Sequence, residues 1–378
     1  MPPTFAEVGV PADLVSVLHK RGVTAPFPIQ AATLPDALSG RDICGCAPTG
    51  SGKTLAFGLV IATRTRKPVP LRPRALVLVP TRELASQIER ELAALVAARG
   101  GRVIAVYGGA GYEPQRRALR KGVSVVVACP GRLEDLIQRG DVQLDDVNLV
   151  VIDEADRMAD MGFMPAVRRL VDRTSTNRQT LLFSATLDGE VDELARRYQR
   201  DARRHDVEVD EDNPGDVEHL FWKTEHSKRV SVTAQLVTDH GRAIVFCRTR
   251  NGADRVARQL SKAGVDAVAL HGNLTQAQRE RGLKAFATGR AQALVATDVV
   301  ARGIHVDGVP CVVHFDPPTH AKDYVHRSGR TGRAGASGTV VSLVTDANGK
   351  AIRALQRSLG LSRDGRGKEN AQRARAAG

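Results

Sequence analysis

Short apolar runs recur along the chain, each ending at glycine, proline or a polar residue. Residues 42–46 come first. Residues 75–79 stop at Pro80, 103–106 just before Gly108-Gly109, and 125–128 at Cys129-Pro130-Gly131-Arg132. Residues 149–152 stop at Asp153 and 180–183 at Ser184. Amphipathic stretches such as 83–98 lie between them, with apolar residues at helical spacing. Runs that are apolar at consecutive positions suit strands covered on both faces, and their alternation with helices predicts a parallel sheet. Residues 201–216 break the pattern: they are polar, contain Asn213-Pro214-Gly215 and lose apolar periodicity after Val209. The alternation resumes at 243–247, 265–270, 293–296, 311–315 and 340–344. The expected fold is α/β, with two tandem domains, each a mostly parallel sheet covered by helices on both faces. The first takes residues 1–205, the linker 206–216, the second 217–349, and a tail 350–378.

A length of 378 residues suits two domains, and 42% hydrophobic residues suffice for their cores. The formal charge of +13 points to a polyanionic partner. Aromatic residues make up only 4%, with Trp222 the single tryptophan, which favours gripping phosphates over stacking bases. The tail carries eight basic residues from Lys350 onward against Asp364 and Glu369, and is expected to be partly disordered. Cys44, Cys46, Cys129, Cys247 and Cys311 form no metal pattern and read as buried thiols of a reducing compartment. No apolar run reaches the ~18 residues of a membrane span, and no signal-peptide pattern opens the chain. The expectation is a cytoplasmic protein without a membrane partner.

The chemistry gathers where the runs end, the side on which open α/β sheets bind ligands. Ala47-Pro48-Thr49-Gly50-Ser51-Gly52-Lys53-Thr54 stands between a strand and a helix pattern. Its glycines let backbone N–H groups surround phosphates, Lys53 would reach the β- and γ-phosphates, and Thr54 would hold Mg²⁺. Ala47 stands where such loops usually begin with glycine. Asp153 could hold the same ion opposite Thr54, and Glu154 could orient or deprotonate a water. Asp156 would brace neighbouring groups, and Ser184 and Thr186 could relay a change at the nucleotide. Gln30 begins a helix after two prolines, and its amide could pair with an adenine edge. In the second half, residues 326–333 bring Arg327, Arg330 and Arg333 into one glycine-spaced loop, suited to charge developing on a transferred phosphoryl group.

Taken in order, these segments resemble the DEAD-box ATP-dependent RNA helicases, close to the bacterial RhlE-type group. The resemblance spans residues 5 to 345 and rests on Pro-x-Pro-Ile-Gln ending at Gln30, APTGSGKT (47–54), PTRELA (80–85), Gly108-Gly109 and PGR (130–132). DEAD (153–156), SAT (184–186), the phrase 246–250, His271-Gly272 with Arg279, TDVVARG (297–303) and HRSGRTGR (326–333) complete it. It implies two RecA-like domains that close on ATP, Mg²⁺ and RNA. Catalysis falls to Lys53, Glu154, Arg330 and Arg333. The nucleotide would touch Gln30, Thr49, Gly50, Ser51, Gly52, Thr54, Asp153, Gly303 and His305 as well. RNA contacts fall to Thr81, Arg82, Gly109, Gly131 and Arg132 in the first domain and to Thr249, Gly272, Arg279 and Thr297 in the second. Asp156, Ser184, Thr186, Asp298, Arg302 and His326 would couple the two sites. The sequence departs from the pattern at Val23, where an aromatic commonly stacks on adenine, at Phe27 in place of a small residue, at Cys129 in place of threonine, and at His305 in place of aspartate.

The expected activity is RNA-stimulated ATP hydrolysis coupled to local duplex separation or RNA–protein remodelling, by a monomer that reads the backbone with little sequence preference. An RNA clamp with a slow ATPase is the alternative, and a DNA-acting motor is a third.

Overall fold

Neighbouring residues of each apolar run part to opposite faces of a sheet. Along β2 (Ala75–Leu78), Ala75 and Val77 bury in one layer, Leu76 and Leu78 in the other. The same division holds along β4 (Val125–Ala128) and β5 (Leu149–Asp153). A strand needs apolar residues at consecutive positions only when both faces are covered, which is why these runs do not alternate. The computed structural model describes residues 3–47, 50–187, 189–207, 217–298, 308–332 and 337–361. The chain falls into two units, Met1–Val209 and Asp210–Gly378.

The first unit begins with α1 (Ala12–Lys20) and α2 (Pro28–Leu38). Then come β1 (Ile43–Cys46), α3 (Lys53–Arg64), β2, α4 (Arg82–Ala97), β3 (Val103–Val106), α5 (Tyr112–Lys121), β4, α6 (Pro130–Gln138) and β5. It closes with α7 (Ala155–Asp160), α8 (Met164–Val171), β6 (Gln179–Ser184), α9 (Gly189–Tyr198) and β7 (Arg203–Asp206). Its sheet runs β3-β4-β2-β5-β6-β1-β7, with every pairing parallel. The second unit holds β8 (Val217–Lys223), α10 (Arg229–His240), β9 (Ala243–Phe246), α11 (Arg250–Lys262), β10 (Ala267–Leu270), α12 (Gln276–Ala287), β11 (Ala293–Ala296) and β12 (Cys311–His314). After these come α13 (Ala321–Ser328), β13 (Gly338–Val344) and α14 (Gly349–Ser358). Its parallel sheet runs β10-β11-β9-β12-β13-β8. Counted from its own first strand, each unit has the order third-fourth-second-fifth-sixth-first, and among the described residues only the first unit adds a seventh strand.

Two stretches differ from the sequence expectation. Residues 201–216, read as breaking the pattern, begin with β7, which pairs with β1 from Ile43–Arg203 to Cys46–Asp206. An edge strand is held by backbone bonds on one side, so charged side chains do not prevent it. The tail from residue 350 begins with α14, whose Ile352 and Leu355 bury in a core layer of the second unit. The remainder of the linker from residue 208 and of the tail from residue 362 lies outside the described residues, as do Thr49, Arg302, Gly303, His305 and Arg333.

All five cysteines are free. Burial pushes the Cys44 thiol up to about 11 and those of Cys247 and Cys311 to about 12, so they are neutral core groups.

Candidate functional site

Strands β5, β6 and β1 lie side by side, and their carboxyl ends place Asp153, Ser184 and the glycine loop in a row. Gly50 and Gly52 hold φ of 88° and 90°, a left-handed conformation that costs another residue about 1–2 kcal/mol. Gly52 precedes α3, and a Cβ there would strike the Gln30 amide and come within 2.7 Å of the Phe27 ring. Gln30 is buried; its Nε2 donates to Gly52 O and its Oε1 accepts from Phe27 N, both at 2.9 Å. Each amide end keeps one bonding position, enough for the bidentate adenine pair. Phe27 is 57% exposed beside this loop, whereas Val23 is half-buried and packs against the core. Lys53 is buried, with Nζ donating to Ala47 O at 2.6 Å. Thr54 follows it in the first turn of α3.

Asp153 is buried at the end of β5, and its Oδ1 accepts from Glu154 N at 3.0 Å. Glu154 has φ 53°, so the chain turns sharply between strand and helix and the two carboxylates leave it differently. Arg157 Nη1 donates to Glu154 Oε2 at 3.0 Å, and both residues are buried. Ser184 Oγ accepts from Asp156 N at 3.1 Å, tying the end of β6 to the start of α7. Thr186 lies exposed just beyond it. Among the described residues no group of three or more His, Cys, Asp or Glu could hold a metal ion. Thr54 and Asp153 fit Mg²⁺ in another way, as the protein's share of a shell completed by substrate phosphates and water.

The other half of the edge is made by β2, β4 and β3. Thr81 caps α4, its hydroxyl accepting from Leu84 N at 3.4 Å. The Arg82 guanidinium covers Gly109, whose φ of 81° favours glycine. Arg132 is buried; its Nη1 donates to Ala110 O at 3.1 Å and its guanidinium lies 3.8 Å from the Tyr112 ring centre. Two arginines thus hold the glycine turn, leaving backbone N–H groups and two helix starts to face an anion. Gly131, in the first turn of α6, has open space beside it. Cys129 precedes α6 without a side-chain cap, and burial pushes its thiol up to about 12.

The second unit repeats the device. Thr249 caps α11, accepting from Gly252 N at 3.0 Å, and the next residue, Arg250, lies 3.6 Å from where a Cβ on Gly272 would be. In both units a Thr-Arg pair follows the second strand and covers the glycine after the third. Thr297 follows β11, the neighbour of both β9 and β10, and its N donates to Leu270 O at 3.3 Å. Arg279 is buried on α12.

Asp298 receives both arms of Arg327, Nε to Oδ1 and Nη2 to Oδ2, each at 2.6 Å. Arg327 Nη1 also donates to Asp316 O at 2.7 Å. His326 is half-buried on α13, and Arg330 is buried just past it. Sequence reasoning gave no role to Arg157, although its i,i+3 spacing from Glu154 is a signal. It placed Arg327 with Arg330 and Arg333 among the charge-stabilising arginines, whereas the Arg327 guanidinium is buried and committed to Asp298, a partner 29 residues away that spacing does not reveal.

Residues 27–194 match the DEAD/DEAH box helicase family and residues 228–335 the Helicase conserved C-terminal domain. The chain is 41% identical over 364 residues to DEAD-box ATP-dependent RNA helicase 30 of Arabidopsis thaliana, covering 94% of this chain and 61% of the relative. It is 37% identical over 357 residues to DEAD-box ATP-dependent RNA helicase CshA of Bacillus subtilis, covering 94% and 72%. It spans 61%, 58% and 49% of the first three curated relatives, and so less than two thirds of their length. Among solved structures, Saccharomyces cerevisiae Dbp5 bound to RNA and ADP BeF3 is similar at a TM-score of 0.82, with 29% identity over 94% of this chain and 93% of that one. A DEAD box protein from the hyperthermophile Methanococcus jannaschii is similar at 0.54, with 32% identity over 95% and 98%.

Proposed function

The chain belongs to the DEAD-box ATP-dependent RNA helicases, and from that membership we propose that it couples RNA-stimulated ATP hydrolysis to local separation of RNA duplexes. The observation that carries this reading is the division of one sheet edge: β1, β6 and β5 hold the glycine loop and the acids, and β2, β4 and β3 hold the Thr-Arg and glycine turn. The halves meet where β2 pairs with β5. A relative seen with RNA and ADP BeF3 together supports one site of each kind.

On this reading, the N–H groups of Thr49, Gly50, Ser51 and Gly52 and the start of α3 bind the phosphates. Lys53 leaves Ala47 O for the β- and γ-phosphates. Thr54 and Asp153 would hold Mg²⁺, which when bound neutralises charge on the phosphate oxygens. Glu154, positioned by Arg157, takes the proton of the water that attacks the γ-phosphorus as the bond to the β-phosphate oxygen breaks. Arg330 and Arg333 stabilise the charge that develops there. Gln30 reads adenine, and Gly303 and His305 face the nucleotide. RNA phosphates meet Thr81, Gly109, Gly131, Thr249, Gly272, Arg279 and Thr297, with Arg82, Arg132 and Arg250 holding the turns. Asp156, Ser184, Thr186, Asp298, Arg302 and His326 couple hydrolysis to the grip.

The grips are of backbone type, so the protein binds RNA with little sequence preference, and it works as a monomer. Five free thiols support a cytoplasmic location, and no helix of the described residues is long and apolar enough to cross a membrane. The test is hydrolysis stimulated by RNA or DNA, with single-turnover separation of a short RNA duplex with and without ATP. RNA-specific stimulation and ATP-dependent separation are expected. RNA retention with slow hydrolysis and no separation would make the chain a clamp instead.

A further inference from the structure

At the opposite ends of β2, β3 and β4, three loops are knotted around one buried residue, Ser124. Its Oγ donates to Arg66 O at 2.8 Å, its N donates to Arg102 O at 2.8 Å, and its O accepts from Arg74 N at 2.9 Å. Val69 forms an antiparallel bridge with Val123, and Leu71 N donates to Leu119 O at 2.9 Å. Gly101 has no room for a side chain, which would come within 2.8 Å of Val96 and 2.9 Å of Ser124 Oγ. The loops are therefore fixed relative to one another.

Segments 65–74, 99–102 and 117–124 together hold nine Lys and Arg residues and no Asp or Glu. Arg72, Arg99 and Arg120 have acidic partners in Asp146, Asp13 and Asp141. Arg66, Lys67, Arg74, Arg102, Arg117 and Lys121 make no ion pair among the described residues, and all but Arg74 are exposed. Ordinary surfaces intersperse both signs. The segments also lack Phe, Tyr and Trp, so they offer phosphate contacts without base stacking.

We propose that this knot is a second RNA-binding surface, which holds the phosphate backbone of RNA flanking the stretch gripped at the carboxyl edge. The inference rests on the RNA-acting reading above. Helix α5 joins the two places. It starts at Tyr112, beneath Arg132 and Arg139, and ends at Lys121 in the knot. Its ten residues span about 15 Å, the length of roughly four phosphates along a strand. Along it, Arg116 and Arg120 share Asp141, and Arg116 also meets Glu113, while Arg117 has no acidic partner among the described residues, so basic groups outnumber acidic ones between the grip and the knot.

The test uses the full chain and the variant Arg66→Gln/Lys67→Gln/Arg102→Gln/Lys121→Gln. The two RNAs are the shortest single strand that stimulates hydrolysis and that strand extended by a hairpin. Kd is measured across a salt series. The wild type should show the steeper salt dependence with the extended RNA, and the variant should lose about 2–4 units of that slope, at roughly 0.7–0.9 per phosphate contact. Affinity for the extended RNA at low salt should fall at least ~10-fold. Binding of the short strand, and hydrolysis with it, should stay unchanged. Lysine or arginine at the same positions should keep the slope. Unaltered binding of both RNAs, or equal loss for both, overturns the proposal. So does loss of binding to phosphatidylserine vesicles with RNA binding intact, which would make the knot a membrane contact. The helicase reading fails separately, if no single strand raises wild-type hydrolysis; the knot is then judged on the salt slope of one chosen strand with and without the hairpin.

Discussion

Asp298→Asn should unfold the second unit at markedly lower urea. The wild-type pair has two parallel bonds of 2.6 Å, and the arginine side chain is 4% exposed against 27% for the aspartate. Asparagine removes the charge, keeps one acceptor and turns an N–H toward a guanidinium N–H. Arg327 then retains Asp316 O and the face of the Phe246 ring, 5.1 Å from its guanidinium. Breaking a fully buried pair costs about 3–5 kcal/mol, and the partial exposure of Asp298 lowers the expected loss to about 2–3 kcal/mol. With a urea slope of about 1–3 kcal/mol per molar, the midpoint should fall by about 0.7–3 M. Trp222 is the single tryptophan, and it lies on β8 against a core layer of this unit, so its fluorescence follows the relevant transition. Asp298→Leu with Arg327→Met should recover much of the loss, because an apolar pair leaves no charge to satisfy. An unchanged Trp222 midpoint in Asp298→Asn would refute the reasoning, as would a double variant less stable than Asp298→Asn.

Glu154→Gln keeps an acceptor for Arg157 but cannot take a proton; hydrolysis should fall at least ~10²-fold with ATP and RNA binding intact, and a near-normal rate would remove Glu154 as the base. Phe27→Ala should weaken ATP binding about tenfold while sparing inorganic tripolyphosphate, because the exposed ring can stack on a base where Val23 packs against the core. Equal loss for both ligands in competition assays would point to a damaged loop instead. Acid should destabilise the second unit through His314, which burial, Arg327 and His219 hold well below its usual pKa, beside Ser342 Oγ and the Tyr324 ring. The folded state keeps this imidazole neutral while the unfolded chain protonates near pH 6.5, so stability is full above that pH and falls by about 1.4 kcal/mol per unit below it. The Trp222 urea midpoint at pH 7.5 and 5.5 measures this, and a His314→Phe variant that retains the same acid sensitivity would refute it.

Interior strands were legible because a residue covered on both faces must be apolar wherever it falls. Residues 103–106 and 293–296 match β3 and β11 to the residue. The edges were not legible. Arg-Arg-His-Asp of β7 is held to β1 by backbone bonds and offers no apolar side chain to read, and in α14 two buried apolar side chains, Ile352 and Leu355, are hidden among basic neighbours. The glycine loop and the acids stood out because each follows a strand, whereas Thr81, Arg82 and Thr249 came only through the family resemblance and the covering role of Arg250 not at all. The immediate partners of the site residues did not stand out. Ala47 O for Lys53, Gly52 O for Gln30 and Asp298 for Arg327 are set by how elements meet, which spacing along a chain does not record.

On the proposed function, the Thr-Arg turn over a glycine, present once in each unit, would make the chain bivalent toward a polymer with repeating phosphates. Once one copy is engaged, the tether presents the other at an effective concentration in the mM range. The advantage is that concentration divided by the single-copy Kd: about tenfold for copies that each bind at ~100 μM, and none for copies at ~1 mM. Weakening one copy tenfold, by about 1.4 kcal/mol, therefore erases the whole benefit of having two. Letting go of RNA then requires only a small loss of grip in one unit, and dwell time becomes a steep function of the weaker copy.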